Sequence, residues 1–132
     1  MNKVERIAKA LGLPDSGQDW GIEHADSARL QEFLDFAGAL NPENDWEMEA
    51  MAELVLQSAE EAMESGSMSE VLRQRVVGFL RVHGTAFPLA LAKWSAYPED
   101  DGWHSRSLLI ASGWVKGSGS VFPIVSQADP IP

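Results

Sequence analysis

The first apolar pattern in the chain predicts a short helix that ends near Gly12. Apolar residues recur three and four positions apart, as they do on one face of a helix. These positions are Val4, Ile7, Ala8 and Leu11. Gly12 and the nearby Pro14 are residues that oppose continuation of a helix, so we expect the chain to turn there.

The next segment is too short for its periodicity to be decisive. The residues from 15 to 18 have the composition of a loop. Trp20, Ile22 and His24 then alternate with polar or small residues, and this period of two predicts a short extended segment.

Two amphipathic helices are predicted in the following part of the chain. Asp26 or Ser27 can cap the first of them, which ends at Gly38. Asn41 and Pro42 are typical of a helix start, and we expect the second helix to continue from there to about Ser65. The predicted buried positions are Leu30, Phe33, Leu34 and Ala37, followed by Trp46, Ala50, Met51, Leu54, Val55, Ala59, Ala62 and Met63.

The remaining helices are shorter. Ser67 and Glu70 have the spacing of a capping box and predict a fourth helix up to Gly84. Pro88 predicts a fifth helix that starts near Phe87 and ends before Pro98. The predicted apolar positions are Val71, Leu72, Val76, Phe79 and Leu80 in the fourth helix and Leu89, Leu91, Ala92 and Trp94 in the fifth. The apolar run from Leu108 to Val115 fits a helix or a strand, and we favour a short helix.

These patterns predict an all-α fold. Residues 1–116 are expected to form one helical domain, a small single-domain bundle of about five helices. Residues 117–132 are rich in glycine, serine and proline, and they predict a tail that is either extended across the domain or disordered. A chain of 132 residues with 45% hydrophobic residues has enough apolar side chains for one core.

Composition also limits the environment. The chain has no cysteine, which excludes disulfides, thiolate metal sites and a thiol nucleophile, and it suits a reducing compartment. No apolar run approaches the roughly 18 residues of a membrane span. The first residues form an amphipathic pattern rather than a secretory signal, so we expect a cytoplasmic protein without a membrane partner.

The acidic residues are concentrated in one part of the sequence. The net charge is -10, and no lysine or arginine occurs between Arg29 and Arg73. The predicted third helix carries acids at a spacing of four, which would place them on one solvent face. The candidate partner-binding acids are Asp45, Glu49, Glu53, Glu60 and Glu64, with Glu32 and Asp35 on the second helix. Such a face either docks a cationic partner or only keeps an acidic protein soluble.

No established catalytic or metal-binding motif is present. The three histidines are far apart and none has the spacing of a metal-binding pair. The sequence contains neither a phosphate-binding loop nor a nucleophile elbow, and the negative charge opposes binding to nucleic acid. We therefore expect no cofactor, no metal, no nucleic-acid partner and no enzymatic activity.

Five tryptophans are a large number for this length. Trp46 and Trp94 occupy apolar helical positions and are predicted to be buried in the core. Trp20 and Trp103 lie beside acids in predicted non-helical segments, and we take them as candidates for a partner interface.

Several short segments resemble a group of small acidic bacterial proteins of the toxin-immunity type. They are Gln18-Asp19-Trp20, Ala25-Asp26, the run from Arg29 to Leu34, and Lys93-Trp94-Ser95, within residues 18–95. The resemblance implies an all-α protein that neutralises a toxin domain by binding it. It implies no individual binding residue, and the region after Trp103 does not match.

Two functions of different kinds follow as hypotheses. The first is an immunity-type protein that binds and neutralises a cationic toxin domain, possibly a nuclease, through its acidic helical face. The alternative is a regulatory or adaptor module that binds a partner protein through an apolar groove. An unrecognised enzyme would require a pocket with convergent polar groups, which a sequence alone does not display.

Overall fold

The described part of the chain is entirely helical. The computed structural model describes residues 4–17, 19–41, 44–96 and 104–115, and these ranges contain no strand. The α-helices are α1 (Glu5–Leu11), α2 (Trp20–Glu23), α3 (Leu30–Ala39), α4 (Asp45–Glu64), α5 (Glu70–His83), α6 (Pro88–Ser95) and α7 (Ser105–Ala111). The all-α prediction is confirmed, with seven α-helices in these ranges rather than about five.

Helix α4 is the centre of the fold. It contacts α2, α3, α5, α6 and α7, so most of its circumference is covered by other helices. The side chain of Asn44 accepts a hydrogen bond from the backbone N–H of Glu47 and caps the first turn. At the other end Gly66 has a φ of 78°, and the following N–H bonds back to Ala62.

The core is built around α4 from large apolar side chains of the other helices. Phe79 of α5 stacks on Phe87 with ring centroids 5.3 Å apart, where the chain turns into α6. Side chains with almost no exposure come from α1, α3, α4, α5, α6 and α7, and they include Ile7, Phe33, Leu54, Leu80, Trp94 and Leu108. Burial of Trp94 confirms its prediction as a core residue.

An ion pair connects α1 to α4 inside this arrangement. The Arg6 guanidinium donates to both carboxylate oxygens of Glu47, at 2.9 and 2.5 Å. The Glu47 side chain is only 2% exposed, whereas that of Arg6 is 45% exposed. A buried carboxylate is costly without a partner, so the pair with Arg6 stabilises Glu47 in the interior.

Two glycines permit close packing of neighbouring elements. A Cβ on Gly21 would lie 2.9 Å from the backbone nitrogen of Leu54 and 3.0 Å from the carbonyl oxygen of Ala50. A Cβ on Gly84 would overlap the ring of Trp114, whose indole N–H donates to the carbonyl of Leu80 at 2.8 Å. Helix α2 can therefore lie directly on α4, and the segment after α7 can lie on the end of α5.

The prediction of an extended segment at Trp20 to His24 is wrong, because this segment contains α2. The alternation covered too few residues to identify a strand, and the fit of Gly21 against α4 favours a helix. The Glu23 N–H bonds to the carbonyl of Asp19, closing the helical turn.

Two predicted helix starts are also wrong. Helix α4 starts at Asp45 after Asn44, not at Asn41, and residues 42 and 43 lie outside the described ranges. Helix α5 is capped by Ser69, whose hydroxyl accepts from Leu72, rather than by Ser67. In each case a second residue able to cap a helix stands slightly further along the chain, and the packed fold selects it.

Other boundaries agree with the sequence. Gly12 adopts a left-handed conformation after α1, Asp26 caps the 3-10 turn before α3, and Pro88 is the first residue of α6. Helix α7 confirms the favoured helical choice near Leu108. The tail predicted for residues 117–132 lies outside the described residues.

Candidate functional site

The acids predicted to form one solvent face on α4 do not do so. Asp45 and Glu64, at the two ends of the helix, are exposed. Glu49 and Glu60 are buried, and Glu53 is partly buried. The prediction of a continuous acidic surface is therefore wrong, because the middle of the helix is covered by α6 and α7.

Glu49 stabilises the start of α6. Its carboxylate accepts hydrogen bonds from the backbone N–H groups of Leu89 at 2.9 Å and of Ala90 at 2.7 Å. These groups belong to the first turn of α6, which has no helical carbonyls available to accept from them. The carboxylate also faces the positive end of the helix dipole. Glu49 thus caps α6 from a separate helix.

Glu53 and Glu60 make the same kind of connection further along α4. Glu53 forms an ion pair with Lys93 of α6, in a close contact of Oε2 with Nζ. Glu60 accepts from the backbone N–H of His104 at 2.9 Å, immediately before α7. These three carboxylates hold the C-terminal helices against α4 and are not free for a partner.

The two acids predicted on α3 are exposed, and each has a cation beside it. Asp35 pairs with Arg75 of α5 at 2.7 Å. Glu32 pairs with Arg29 at 2.7 Å, and the hydrogen bond from that guanidinium lowers the pKa of the Glu32 carboxyl below its ordinary value of 4.5. Both acids are accessible, but their charges are largely compensated within the fold.

The burial of Trp20 and Trp46 is the reverse of what was predicted. Trp20 was expected at an interface but is buried, and its indole N–H donates to the carbonyl of Pro14 at 2.6 Å. Trp46 was expected in the core but is 48% exposed, because the inward positions of the first turn of α4 are taken by Glu47 and Met48. Trp103 lies outside the described residues.

The exposed ring of Trp46 stands between two adjoining depressions. One has a volume of about 340 Å³ and extends between α2, α4 and α6 towards Gly17 and Lys93. The other has a volume of about 460 Å³ and extends towards Asp45 and Thr85. Both are lined by Trp46, Glu49 and Leu89, and we call the combined surface the α4–α6 groove.

This groove combines an apolar centre with acidic surroundings. Leu89 is 61% exposed beside Trp46, so two large apolar side chains face solvent together. Asp45 is exposed at one end, and the exposed Asp19 and Glu23 lie near the Gly17 end. Large apolar side chains are unfavourable in water unless another surface covers them, and such patches commonly bind other proteins.

The sequence predicts Trp46 in the core and Leu89 as an apolar position of the fifth helix, and it does not bring the two together. A usable signal was Pro88, which starts a helix whose next N–H groups need an acceptor. It predicts that a polar group covers that end of α6, but it does not identify Glu49.

Two classes of site are not found within the described ranges. They contain no group of three or more His, Asp or Glu residues placed to hold a metal ion. Within the same ranges, no helix combines the length and the apolar character needed to cross a bilayer.

Comparisons with protein families, with curated proteins and with solved structures gave no match to this chain.

Proposed function

We propose that this protein is a non-catalytic binding module that accepts a cationic, amphipathic segment of a partner protein in the α4–α6 groove. The observation that carries the proposal is the exposure of Trp46 and Leu89 next to each other between the two depressions. Tryptophan at the centre of a shallow groove is a common anchor of protein interfaces.

The charges around the groove support a cationic partner. Asp45 lies at one end, and the chain as a whole has a net charge of -10. An approaching basic segment is attracted by this field, while an acidic segment is repelled. Apolar side chains of the partner would cover Trp46 and Leu89, and its basic side chains would remain near the acidic edge. An amphipathic helix has this division of residues.

The proposal includes no reaction at the groove. Glu49 and Glu53 are its central carboxylates, and each is committed to a contact that holds α6. The absence of cysteine suits a module that works in the cytoplasm, which we include in the proposal.

Immunity-type neutralisation of a cationic toxin domain is the second candidate. It is favoured by the accumulation of acids in residues 13–70, which contain one basic residue, Arg29. In that case long-range attraction contributes much of the affinity, and exposed acids remote from the groove contribute as well. The groove proposal instead predicts that only nearby residues matter.

The test uses two designed helical peptides with the same leucine stripe, one with lysine and one with glutamate on its polar face. Binding to the full chain is measured by calorimetry and by the indole resonance of Trp46. We expect the lysine peptide to bind and the glutamate peptide not to bind. In the Trp46→Ser, Leu89→Ser variant the affinity for the lysine peptide should fall at least about tenfold.

A matched control variant removes exposed apolar side chains from a different surface. Val71 and Val82 are exposed on α5, and the Val71→Ser, Val82→Ser variant should retain the affinity of the natural chain. Equal binding by all three proteins would contradict the groove as the site. Equal binding of the two peptides would contradict the cationic partner.

Charge reversal separates the two candidate functions. Asp45 lines the groove, whereas Glu64 is exposed at the other end of α4, about 30 Å away for a helix of this length. The groove proposal predicts weaker binding for Asp45→Lys and unchanged binding for Glu64→Lys. Comparable losses for the two variants would favour the immunity-type mechanism, in which the whole acidic field acts.

A further inference from the structure

Helices α4 and α6 run side by side in the same direction along the α4–α6 groove. Glu49 of α4 accepts a hydrogen bond from the N–H of Ala90, in the first turn of α6. Glu53, which lies one turn later on α4, pairs with Lys93, which lies one turn later on α6. Both helices therefore begin at the same end of the groove, and the groove follows their common direction.

The two depressions of the groove follow one another along this direction. The depression that reaches Thr85 is lined by residues within 45–49 of α4 and within 85–89, whereas the other is lined by residues within 46–53 and 89–93. The two ranges on α4 are centred at residue 47 and at about residue 50, and those on the α6 side are centred at residues 87 and 91. At about 1.5 Å per residue, the depressions are separated by about 4–6 Å along the helices, which is about one helical turn.

Each depression has room for one large apolar side chain. Their volumes are about 340 and 460 Å³, and a cavity of about 150 Å³ is enough to hold a benzene molecule. The exposed side chains of Trp46 and Leu89 line both depressions. One apolar side chain in each depression would therefore cover this central apolar surface from both sides.

Acidic side chains lie at both ends of the groove. Asp45 is exposed at one end, and the exposed Glu23 has its carboxylate close to Gly17 at the other end. Among the described residues that line the groove, Lys93 is the only cation, and it is paired with Glu53. Basic side chains of a partner are therefore attracted to the two ends of the groove, while its centre favours apolar side chains.

We propose that the partner of this groove presents two large apolar side chains one helical turn apart, at positions i and i+4, with basic residues before and after them. One apolar side chain occupies each depression, on either side of Trp46. Positions i and i+4 share one face of a helix, and their Cβ atoms are about 5–6 Å apart, which matches the separation of the depressions. Positions i and i+7 are about 10.5 Å apart along the axis, which is too far. This inference rests on the proposed function of the groove and adds the spacing that the partner must have.

Two designed helical peptides test the spacing. Each has two leucines on an alanine background and the same lysines at both ends, and the leucines are at i and i+4 in one peptide and at i and i+7 in the other. Calorimetry with the full chain should show at least about tenfold tighter binding of the i and i+4 peptide.

The outcomes separate this inference from the proposed function. Equal binding of the two peptides would overturn the spacing and leave the groove proposal in place. The same holds if the i and i+4 peptide does not bind while the lysine peptide with the complete leucine stripe binds. Failure of all three peptides to bind would overturn the groove proposal and the spacing together.

Filling one depression tests whether each receives its own side chain. Ala86 is exposed in the 3-10 turn Gly84–Ala86, and it lines the depression that reaches Thr85 but not the other one. Ala86→Leu should weaken binding of the i and i+4 peptide at least about fivefold. The matched control is Ala28→Leu, the same change at an exposed alanine in the 3-10 turn before α3, and it should leave the affinity unchanged. Thermal melts check that both variants remain folded.

Replacement of each peptide leucine by alanine completes a double-mutant cycle with Ala86→Leu. The peptide without the leucine that enters the filled depression should bind the natural chain and the Ala86→Leu variant equally well. The peptide that keeps this leucine and lacks the other should bind the variant at least about fivefold more weakly. Equal sensitivity of the two peptides to Ala86→Leu would overturn the assignment of one side chain to each depression.

Discussion

The two longest helices, α4 and α5, handle charge in opposite ways. Helix α4 directs several carboxylates into the fold, where they meet Arg6, Lys93 and backbone N–H groups of later helices. Helix α5 keeps its charged side chains outside but also leaves Val71 and Val82 in solvent. Position in the fold explains the difference, because α4 is covered by other helices on most sides, while one side of α5 is covered by none of the described helices.

The contribution of an acidic residue depends on its location in the fold. A carboxylate on a central helix is stabilising only if the surrounding chain supplies donors to it. Once those donors are present, the carboxylate determines where the incoming helices are placed. Val71 and Val82 on α5 stay exposed instead, as single apolar residues on a protein surface commonly do.

The largest expected effect concerns the buried carboxylate of α4. Arg6→Met would leave Glu47 buried without its guanidinium, and we expect a loss of about 3 kcal/mol in the free energy of unfolding. Arg75→Met, which removes the exposed pair of α5 with Asp35, should cost about 0.5 kcal/mol. Urea denaturation of dilute protein at neutral pH measures both. Losses of similar size would show that the buried Arg6–Glu47 pair and the exposed Arg75–Asp35 pair contribute equally to stability.

Replacement of glycine by alanine is expected to change the stability of the fold in opposite directions at α4 and at α5. Gly21→Ala places a methyl group against the backbone of α4 and should destabilise the fold by about 2 kcal/mol. Gly78→Ala lies in open space within α5 and should stabilise it by about 0.5–1 kcal/mol. Thermal melts of the two variants make the comparison. A stabilising Gly21→Ala would contradict the close approach of α2 to α4.

The next largest loss of stability is expected when the capping of α6 by Glu49 of α4 is removed. Glu49→Ala removes the acceptor of two N–H groups at the start of α6, and a loss of about 1.5 kcal/mol is expected. Hydrogen exchange should become faster at Leu89 and Ala90. Glu70→Ala on α5 is the matched control, because the Glu70 side chain bonds only to the exposed Gln74 among the contacts described, and it should leave these amides unchanged. Unchanged exchange in Glu49→Ala would rule out the capping role.

The sequence was sufficient for the fold class and for much of the core. Period-3.6 patterns predicted α1, α3, α4, α5 and α6, because the side chains that face the core must recur with the helical repeat. Gly12 and Pro88 predicted helix ends correctly, since their effect on the backbone is local. Helix α2 was missed because its four residues are stabilised mainly by packing on α4.

The candidate site could not be predicted in the same way, since its contacts join distant parts of the chain. Glu49 meets α6 forty residues further along, and nothing within its own helix distinguishes it from the exposed Glu64. Trp46 occupies an apolar helical position, but its inward neighbour Glu47 is tolerated because of Arg6. Only the packed structure therefore shows which of the two faces solvent.

The smallest expected effect is the pH dependence of an exposed pair, which serves as the reference for the covered carboxylates of α4. The Arg29 guanidinium lowers the pKa of Glu32 in the folded chain, with the hydrogen bond as the main cause. Folding therefore favours the ionised carboxyl, so this contribution is complete above the unfolded pKa near 4.5 and is lost as the pH falls through the lower folded value. Since Glu32 is exposed, water and salt screen the effect and keep it small.

Urea denaturation of the natural chain and of Glu32→Gln from about pH 7 to about pH 3 should give a stability difference that shrinks in acid. A difference that is constant over this range would mean that the pair does not contribute through the charge of Glu32.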